Sequence, residues 1–151
     1  MSLAVDVSDA DAIALEFSRA ASADVRRLSA EALAYLGDAV YELHVRRTLL
    51  LPPRHLQHYR GAVVERVRAT CQAQVMEMLR EHLTEEELAI VRRGRNACGR
   101  SPRNVSPELY RQASGLEALL GYLFVSDPQR LREVLALCDG VDCHASETRT
   151  P

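Results

Sequence analysis

The chain has 151 residues, 47% of them apolar and 26% charged, which is typical of one globular domain with its own core. A net charge of -2 excludes a domain that is basic as a whole, and no apolar run reaches the roughly 18–20 residues of a membrane span. The N-terminus lacks a signal-peptide pattern and the four cysteines show no CxxC spacing, so we expect a cytoplasmic protein with free thiols and no zinc.

The first half of the chain contains a polar segment and two long predicted helices. Residues 1–28 carry an excess of acids, and we expect this N-terminal segment to be partly disordered. Ser29 is a candidate N-cap for a helix to about residue 51, whose apolar positions recur at intervals of three and four. Two prolines end this helix, and a second helix is predicted over residues 54–81.

A capping box marks the next helix. Residues 84–87 read Thr-Glu-Glu-Glu, so that the threonine can cap the helix and the last glutamate can reach back. We expect this helix to end near Arg93. The residues that follow, 94–104, contain glycine and proline and are predicted to form a loop.

Two further start signals complete the pattern. The Ser-Pro pair at 106–107 and the Asp-Pro pair at 127–128 each place proline in the first turn of a helix, and the last helix is predicted to end near residue 138. Residues 139–151 read as a loose polar tail. Because no segment alternates with a period of two, we predict an all-α fold with one domain at residues 29–138.

Two carboxylates stand out because each lies in an otherwise apolar helical stretch. Asp38 follows Gly37 in the first helix, and Glu117 lies four residues before Gly121 in a leucine-rich segment. An ionised carboxylate in apolar surroundings is unfavourable unless it is paired, hydrogen-bonded or bound to a metal. Glycine costs a helix interior about 1 kcal/mol relative to alanine, and a close approach of two helices is one reason to tolerate it. We therefore predict that the two carboxylates meet and share one cation.

For either residue alone a simpler interpretation stays open. Asp38 could lie at the edge of the buried stripe and bond to an arginine or a backbone group, and Glu117 could lie on a polar side of its helix. Taken together they favour Mg²⁺, which proteins hold with one or two carboxylates and several waters, over zinc.

The second cluster is basic. There is no lysine in the chain, and residues 40–111 carry thirteen arginines against eight acids. The residues that we expect to bind RNA flank or form the predicted loop: Arg92, Arg93, Arg95, Asn96, Arg100 and Arg103. Arginine binds phosphate bidentately, so this segment is predicted to hold the backbone of an RNA duplex, with a solvated basic loop as the alternative. His55 and His58 could add phosphate contacts.

Three segments resemble, in the same order, sequence blocks of the ribonuclease III family in its Mini-ribonuclease III form. They are residues 33–42 (LAYLGDAVYE), 92–97 (RRGRNA) and 117–124 (EALLGYLF). The resemblance covers residues 29–137. It implies a ribonuclease III-like helical bundle, a homodimer, and Mg²⁺-dependent cleavage of double-stranded RNA. It also implies the role known for this group, maturation of the 23S ribosomal RNA precursor in the bacterial cytoplasm.

The resemblance also assigns individual residues. Asp38 matches the aspartate of the first block and Glu117 the glutamate of the last, so both are expected to be catalytic metal ligands. Full-length ribonuclease III enzymes have two further acids where this chain has Ala34 and Ser114, and Glu31 falls at the place of another acid without an assigned role. The main hypothesis is thus an endoribonuclease. The alternative is a non-catalytic RNA-binding or ribosome-associated module on the same fold.

Overall fold

The computed structural model describes residues 25–143, which contain six α-helices and no β-strand. In chain order the helices are α1 Ala30–Leu49, α2 Leu56–Val67, α3 Ala69–Leu79, α4 Glu85–Ala97, α5 Pro107–Ser126 and α6 Pro128–Asp139. This confirms the predicted all-α fold. Most of the predicted N-terminal segment and of the predicted tail lies outside the described residues. None of the helices in the described range has the length and apolar character needed to cross a membrane.

The predicted start signals are found at the helix N-termini. The Ser29 hydroxyl accepts a hydrogen bond of 3.1 Å from the first turn of α1. Before α4, the Thr84 hydroxyl accepts from the Glu87 backbone N–H at 3.2 Å, and the Glu87 carboxylate accepts from the Thr84 N–H at 2.8 Å. Ser106 and Asp127 cap α5 and α6 in the same way. Each cap satisfies an N–H group without a helical partner and is typically worth ~1 kcal/mol, so these residues determine where four helices begin.

The prediction of one helix over residues 54–81 is wrong in one respect, because the helix is interrupted at Arg68. The backbone of Arg68 is extended (φ -64°, ψ 149°), and it separates α2 from α3. The carbonyl oxygen of Val67, at the end of α2, accepts a hydrogen bond of 2.8 Å from Nε2 of Gln72. The break allows α2 to lie against α1 while α3 lies against α5. Hydrophobic periodicity does not reveal it, because the apolar pattern runs through the break.

Helix α4 continues beyond the predicted end at Arg93. Gly94 does not end the helix, because it lies against α5: a Cβ at Gly94 would come within 2.5 Å of the Cβ of Ala118. The predicted loop over residues 94–104 is therefore helical in its first part, and the irregular connection comprises residues 98–106. The glycine that signals a loop in the sequence instead provides a close contact between two helices.

Helix α5 is the central helix of the fold and packs against α1, α3 and α4. Its side chains with 0% exposure are Leu116, Ala118, Leu119 and Leu120. The crossing with α1 is very tight: a Cβ on Gly37 would lie 1.7 Å from the carbonyl oxygen of Glu117, and one on Gly121 would lie 2.0 Å from that of Leu33. The close helix approach predicted from the two glycines is confirmed, and it brings the backbone next to Asp38 against that of Glu117.

The cysteine prediction needs a correction. Cys71 of α3 and Cys143 form a disulfide, with their Cα atoms 5.3 Å apart, whereas Cys98 and Cys138 are free. The bonded pair is 72 residues apart in sequence, so no local spacing signals it. Val141 packs on the core and Cys143 is buried. The loose tail therefore does not begin at residue 139.

Candidate active site

The carboxylates of Asp38 and Glu117 lie at the crossing of α1 and α5. Asp38 is exposed at the surface, whereas Glu117 is half-buried. The apolar surroundings expected for both carboxylates are therefore found only around Glu117. Burial, and after it the negative charge of Asp38, raises the pKa of Glu117 from the usual 4.5 to about 7, against the lowering effect of a hydrogen bond from the Gln72 side chain. The pKa of Asp38 is also raised, by partial burial and then by the charge of Glu42. Negative charge nearby thus disfavours the ionised form of both carboxylates.

Neither carboxylate has a cationic partner in the described part of the chain. Within residues 25–143, Asp38 and Glu117 form no ion pair with an arginine or a histidine, and no positive charge lowers the pKa of either group. Two carboxylates without counter-charge could hold a Mg²⁺ ion whose remaining ligands are waters. In the same range no three His, Cys, Asp or Glu side chains come together as metal ligands, so the donors do not form a protein-only zinc cage.

A cleft of about 190 Å³ opens beside Glu117, between α1, α5 and the C-terminal end of α4. Ala34 and Ser114 line this cleft, which shows that the two positions without an acid belong to the same site. Glu31 lines it as well. The structure therefore places a third carboxylate, to which the sequence assigns no role, in the cleft that contains Glu117.

A second cleft of about 420 Å³ adjoins the first and is lined by Arg100, Arg103 and Arg111. The two clefts share Gly99 and Tyr110 among their lining residues. An anionic chain lying along this surface would pass from the arginines to the carboxylates. Arginine side chains that line a cleft are suited to phosphate oxygens because of their planar, bidentate donor geometry.

The other predicted RNA-binding residues lie on α4. Among the described residues, no side chain pairs with Arg92 or Asn96. Arg93 donates a hydrogen bond of 3.1 Å to the carbonyl of Leu28, and Arg95 forms an ion pair of 2.8 Å with Glu108 of α5. His55 and His58, with ring centroids 5.9 Å apart at the start of α2, line neither cleft in this part of the chain.

Comparison with known proteins agrees with this geometry. Residues 31–128 match the ribonuclease III domain. The chain is 56% identical over 120 residues to a Mini-ribonuclease 3 of Gloeobacter violaceus (80% of this chain, 89% of the relative) and 54% identical over 117 residues to one of a Synechococcus species (78% and 85%). The chain belongs to the ribonuclease III family and, within it, to the Mini-ribonuclease III group. The crystal structure of protein FN1578 from Fusobacterium nucleatum has the same fold, with a TM-score of 0.69 at 28% identity over 77% of this chain and 93% of that one.

Membership of the family shows that the protein is an endoribonuclease of the ribonuclease III type. It confirms the resemblance drawn from three sequence blocks. It also weighs against the alternative of a non-catalytic module on the same fold. Asp38 and Glu117 both lie within the matched residues.

Sequence reasoning missed two residues of this site. Gln72 is 3% exposed, and its side chain lowers the pKa of the Glu117 carboxylate. Its signal is a polar residue between Cys71 and Ala73 on the inner face of a helix. Arg111 lies beyond the predicted basic loop, one turn into α5, and only the fold brings it into the arginine-lined cleft.

Proposed function

We propose that this endoribonuclease cleaves double-stranded RNA with Mg²⁺ held by Asp38 and Glu117. The observation that carries the proposal is the tight α1–α5 crossing, which brings together two carboxylates without counter-charge among the described residues. A half-buried carboxylate with a raised pKa is unfavourable in its ionised form, and a divalent cation removes that cost. When bound, Mg²⁺ supplies an activated water and stabilises negative charge on the scissile phosphate.

The protein residues have separate tasks in this scheme. Glu117, which lines the cleft, and Asp38 hold the cation and must be ionised to do so. Glu31 also lines this cleft. The rigid crossing keeps the two carboxylates at a fixed separation, because neither helix can move without opening the contact at Gly37 and Gly121. Such preorganisation is a major source of rate enhancement.

The arginine-lined cleft supports a nucleic-acid duplex as the substrate. Arg100, Arg103 and Arg111 line the surface that adjoins Glu117. Arg92 and Asn96 are exposed on α4. Proteins bind double-stranded RNA through its phosphates and 2′-hydroxyls more than through its bases. We assign Arg100 and Arg103 to the duplex backbone, with Arg92 and Asn96 as further contacts. Arg93 and Arg95, which contact other residues of the protein, orient this surface.

An exposed apolar face supports a homodimer. Large apolar side chains at the surface of α1, α2 and their connection are Tyr35, Leu43, Leu50, Leu51, Leu56 and Val64. Tyr35 is 86% and Leu43 70% exposed, and a groove of about 470 Å³ between α1 and α2 continues the face. Apolar patches of this kind mark interaction sites. We propose that a twofold axis pairs this face with itself, so that two sites act on the two strands of one duplex.

The resemblance to Mini-ribonuclease III supports a natural substrate. We propose that the catalytic domain at residues 29–138 acts on the 23S ribosomal RNA precursor in the cytoplasm. A duplex taken from that precursor is then expected to be cleaved at defined positions, and an unrelated duplex of equal length to be cleaved more slowly.

Cleavage assays test the proposal. The purified protein is incubated with a labelled RNA duplex and with the corresponding single strand, in Mg²⁺ and in EDTA. We expect cleavage of the duplex in Mg²⁺ only. Binding of the duplex without cleavage in Mg²⁺ would contradict the proposal and favour the non-catalytic module.

A further inference from the structure

Tyr110 lies where the two clefts of the candidate active site meet. It is half-buried near the start of α5, and it lines both the cleft that contains Glu117 and the arginine-lined cleft beside it. Tyr110, Ser114 and Glu117 are spaced by four and three residues, so they share one face of α5. At a rise of about 1.5 Å per residue, Tyr110 precedes Glu117 by roughly 10 Å along the helix. A strand that reaches the carboxylates from the arginines therefore passes Tyr110.

The hydroxyl of Tyr110 differs from those of the other tyrosines that are not fully exposed. The hydroxyls of Tyr41, Tyr59 and Tyr122 each donate to a protein oxygen at 2.8–3.5 Å. Tyr35 is 86% exposed. The Tyr110 hydroxyl has no hydrogen-bond partner among residues 25–143, and it is not among the buried polar atoms of that range. Because a phenol hydroxyl can both donate and accept, that of Tyr110 is available to a ligand in the cleft.

The charge that lines the surface changes sign at Tyr110. Among the described lining residues, the cleft on one side has three arginines and no acid, and the cleft on the other side has Glu31 and Glu117 and no arginine. Phosphates of a bound strand are therefore expected on the arginine side, apart from the one that the cation binds. A neutral hydroxyl at this boundary suits a neutral group that donates and accepts. In an RNA strand that group is the ribose 2′-hydroxyl, which also distinguishes RNA from DNA.

We propose that Tyr110 is a specificity-determining residue: its hydroxyl binds the 2′-hydroxyl of a ribose next to the cleaved position and so favours an RNA strand over a DNA strand. The inference rests on the proposed function, in which Asp38 and Glu117 hold the cation at the cleaved phosphate. It adds a contact with the sugar to the contacts that the arginines make with phosphate.

A matched pair of variants tests the proposal. Tyr110→Phe removes the hydroxyl and keeps the ring. Tyr122→Phe makes the same change on the same helix, at a residue that lines neither cleft and whose hydroxyl donates to Glu86 at 2.8 Å. Each protein is given a labelled all-ribose duplex and a series of duplexes in which one ribose near the cleaved position is replaced by 2′-deoxyribose. The kcat and KM in Mg²⁺ are measured for every combination.

We expect one 2′-deoxy position to lower the kcat/KM of wild type by about 5-fold, which is typical of one lost neutral hydrogen bond. Tyr110→Phe should lose a similar factor on the all-ribose duplex and change by less than twofold when that same position is deoxyribose. Tyr122→Phe should keep the wild-type kcat/KM and the wild-type pattern. Losses that fail to multiply identify a direct contact, because both changes then remove the same interaction.

Several results would overturn the inference. One is a wild-type enzyme that no single 2′-deoxy position slows by more than twofold. Others are a Tyr110→Phe protein with the wild-type kcat/KM on the all-ribose duplex, an equal loss in Tyr122→Phe, or losses from Tyr110→Phe and the deoxyribose that multiply at every position. A Tyr110→Phe protein that is unfolded by circular dichroism would also overturn it, because the hydroxyl would then have a structural role.

Asp38→Asn separates failure of the inference from failure of the proposed function. If Asp38→Asn abolishes cleavage of the all-ribose duplex, any of the contrary results for Tyr110→Phe contradicts the inference alone. If Asp38→Asn cleaves that duplex as wild type does, the metal site is contradicted, and the inference with it.

Discussion

Replacing Gly37 by alanine tests whether the tight crossing of α1 and α5 supports both the fold and the site. The added Cβ would lie 1.7 Å from the carbonyl oxygen of Glu117 and 2.8 Å from the backbone nitrogen of Gly121. Ordinary contact begins near 3.4 Å, so the two helices must separate by roughly 1.7 Å. Both nearby atoms belong to backbone, and no side-chain rotation can relieve the overlap.

The expected loss of stability follows from this displacement. Overpacking a close-packed contact typically costs about 1–3 kcal/mol, and helix propensity returns ~1 kcal/mol when alanine replaces glycine. Because the overlap is with backbone, we place Gly37→Ala at the upper end, with a net loss of about 2 kcal/mol. A shift of the carboxylates by about 1 Å lowers the cleavage rate of the folded protein by on the order of 100-fold.

Urea unfolding followed by circular dichroism measures the first effect, and cleavage of a labelled duplex measures the second. Gly61→Ala is the matched control, because nothing lies within 4 Å of its added Cβ. It is also in a helix, and it should gain about 0.5–1 kcal/mol and leave cleavage unchanged. A Gly37→Ala protein as stable and active as the control would refute the proposed role of the crossing.

Three further predictions concern charge, the RNA surface and the disulfide. Because the pKa of Glu117 is raised to about 7, the cation-free folded protein retains a proton that the unfolded chain releases near pH 4.5. The free energy of unfolding should therefore fall by on the order of 3 kcal/mol as the pH rises from about 4.5 to about 7. Urea titrations at about pH 5 and 8 in EDTA measure this loss, and Glu117→Gln should remove the pH dependence. Replacing Arg100 and Arg103 by alanine should reduce the slope of log affinity against log salt by roughly 0.7–0.9 for each phosphate that an arginine no longer binds, whereas an unchanged slope in binding titrations would place the RNA on another face. Cys143→Ser opens a loop closed across 72 residues and should cost about 2–4 kcal/mol, and a dithiol reductant should lower the unfolding midpoint of wild type to that of the variant without affecting the variant.

Local signals in the sequence predicted most of the fold. Ser29 and the Thr84–Glu87 box act through atoms within one helical turn, so their effect can be read without knowing the rest of the structure. The break at Arg68 depends instead on a tertiary arrangement that a periodicity of apolar residues does not contain. Glycine often marks the end of a helix, but Gly94 instead contacts α5 from within its helix. Only the position of α5 distinguishes these two roles.

The site was predictable in part for the same reason. Asp38 and Glu117 could be singled out because a charge in an apolar helix requires an explanation, and the adjacent glycines indicated that two helices meet. Gln72 could not be assigned, because the carbonyl that its amide contacts lies at the end of another helix, α2. The pairing of Cys71 with Cys143 likewise follows from the path of the chain and from no pattern in the sequence.

The central claim is that Asp38 and Glu117 together hold the cation needed to cleave duplex RNA. The most direct measurement is the cleavage rate of Asp38→Asn on a labelled duplex at saturating Mg²⁺, with duplex binding and circular dichroism measured on the same preparation. The change retains the size of the side chain and removes the charge that the metal requires. We predict a folded protein that binds the duplex as wild type does and does not cleave it. Cleavage within a few fold of the wild-type rate would contradict the account.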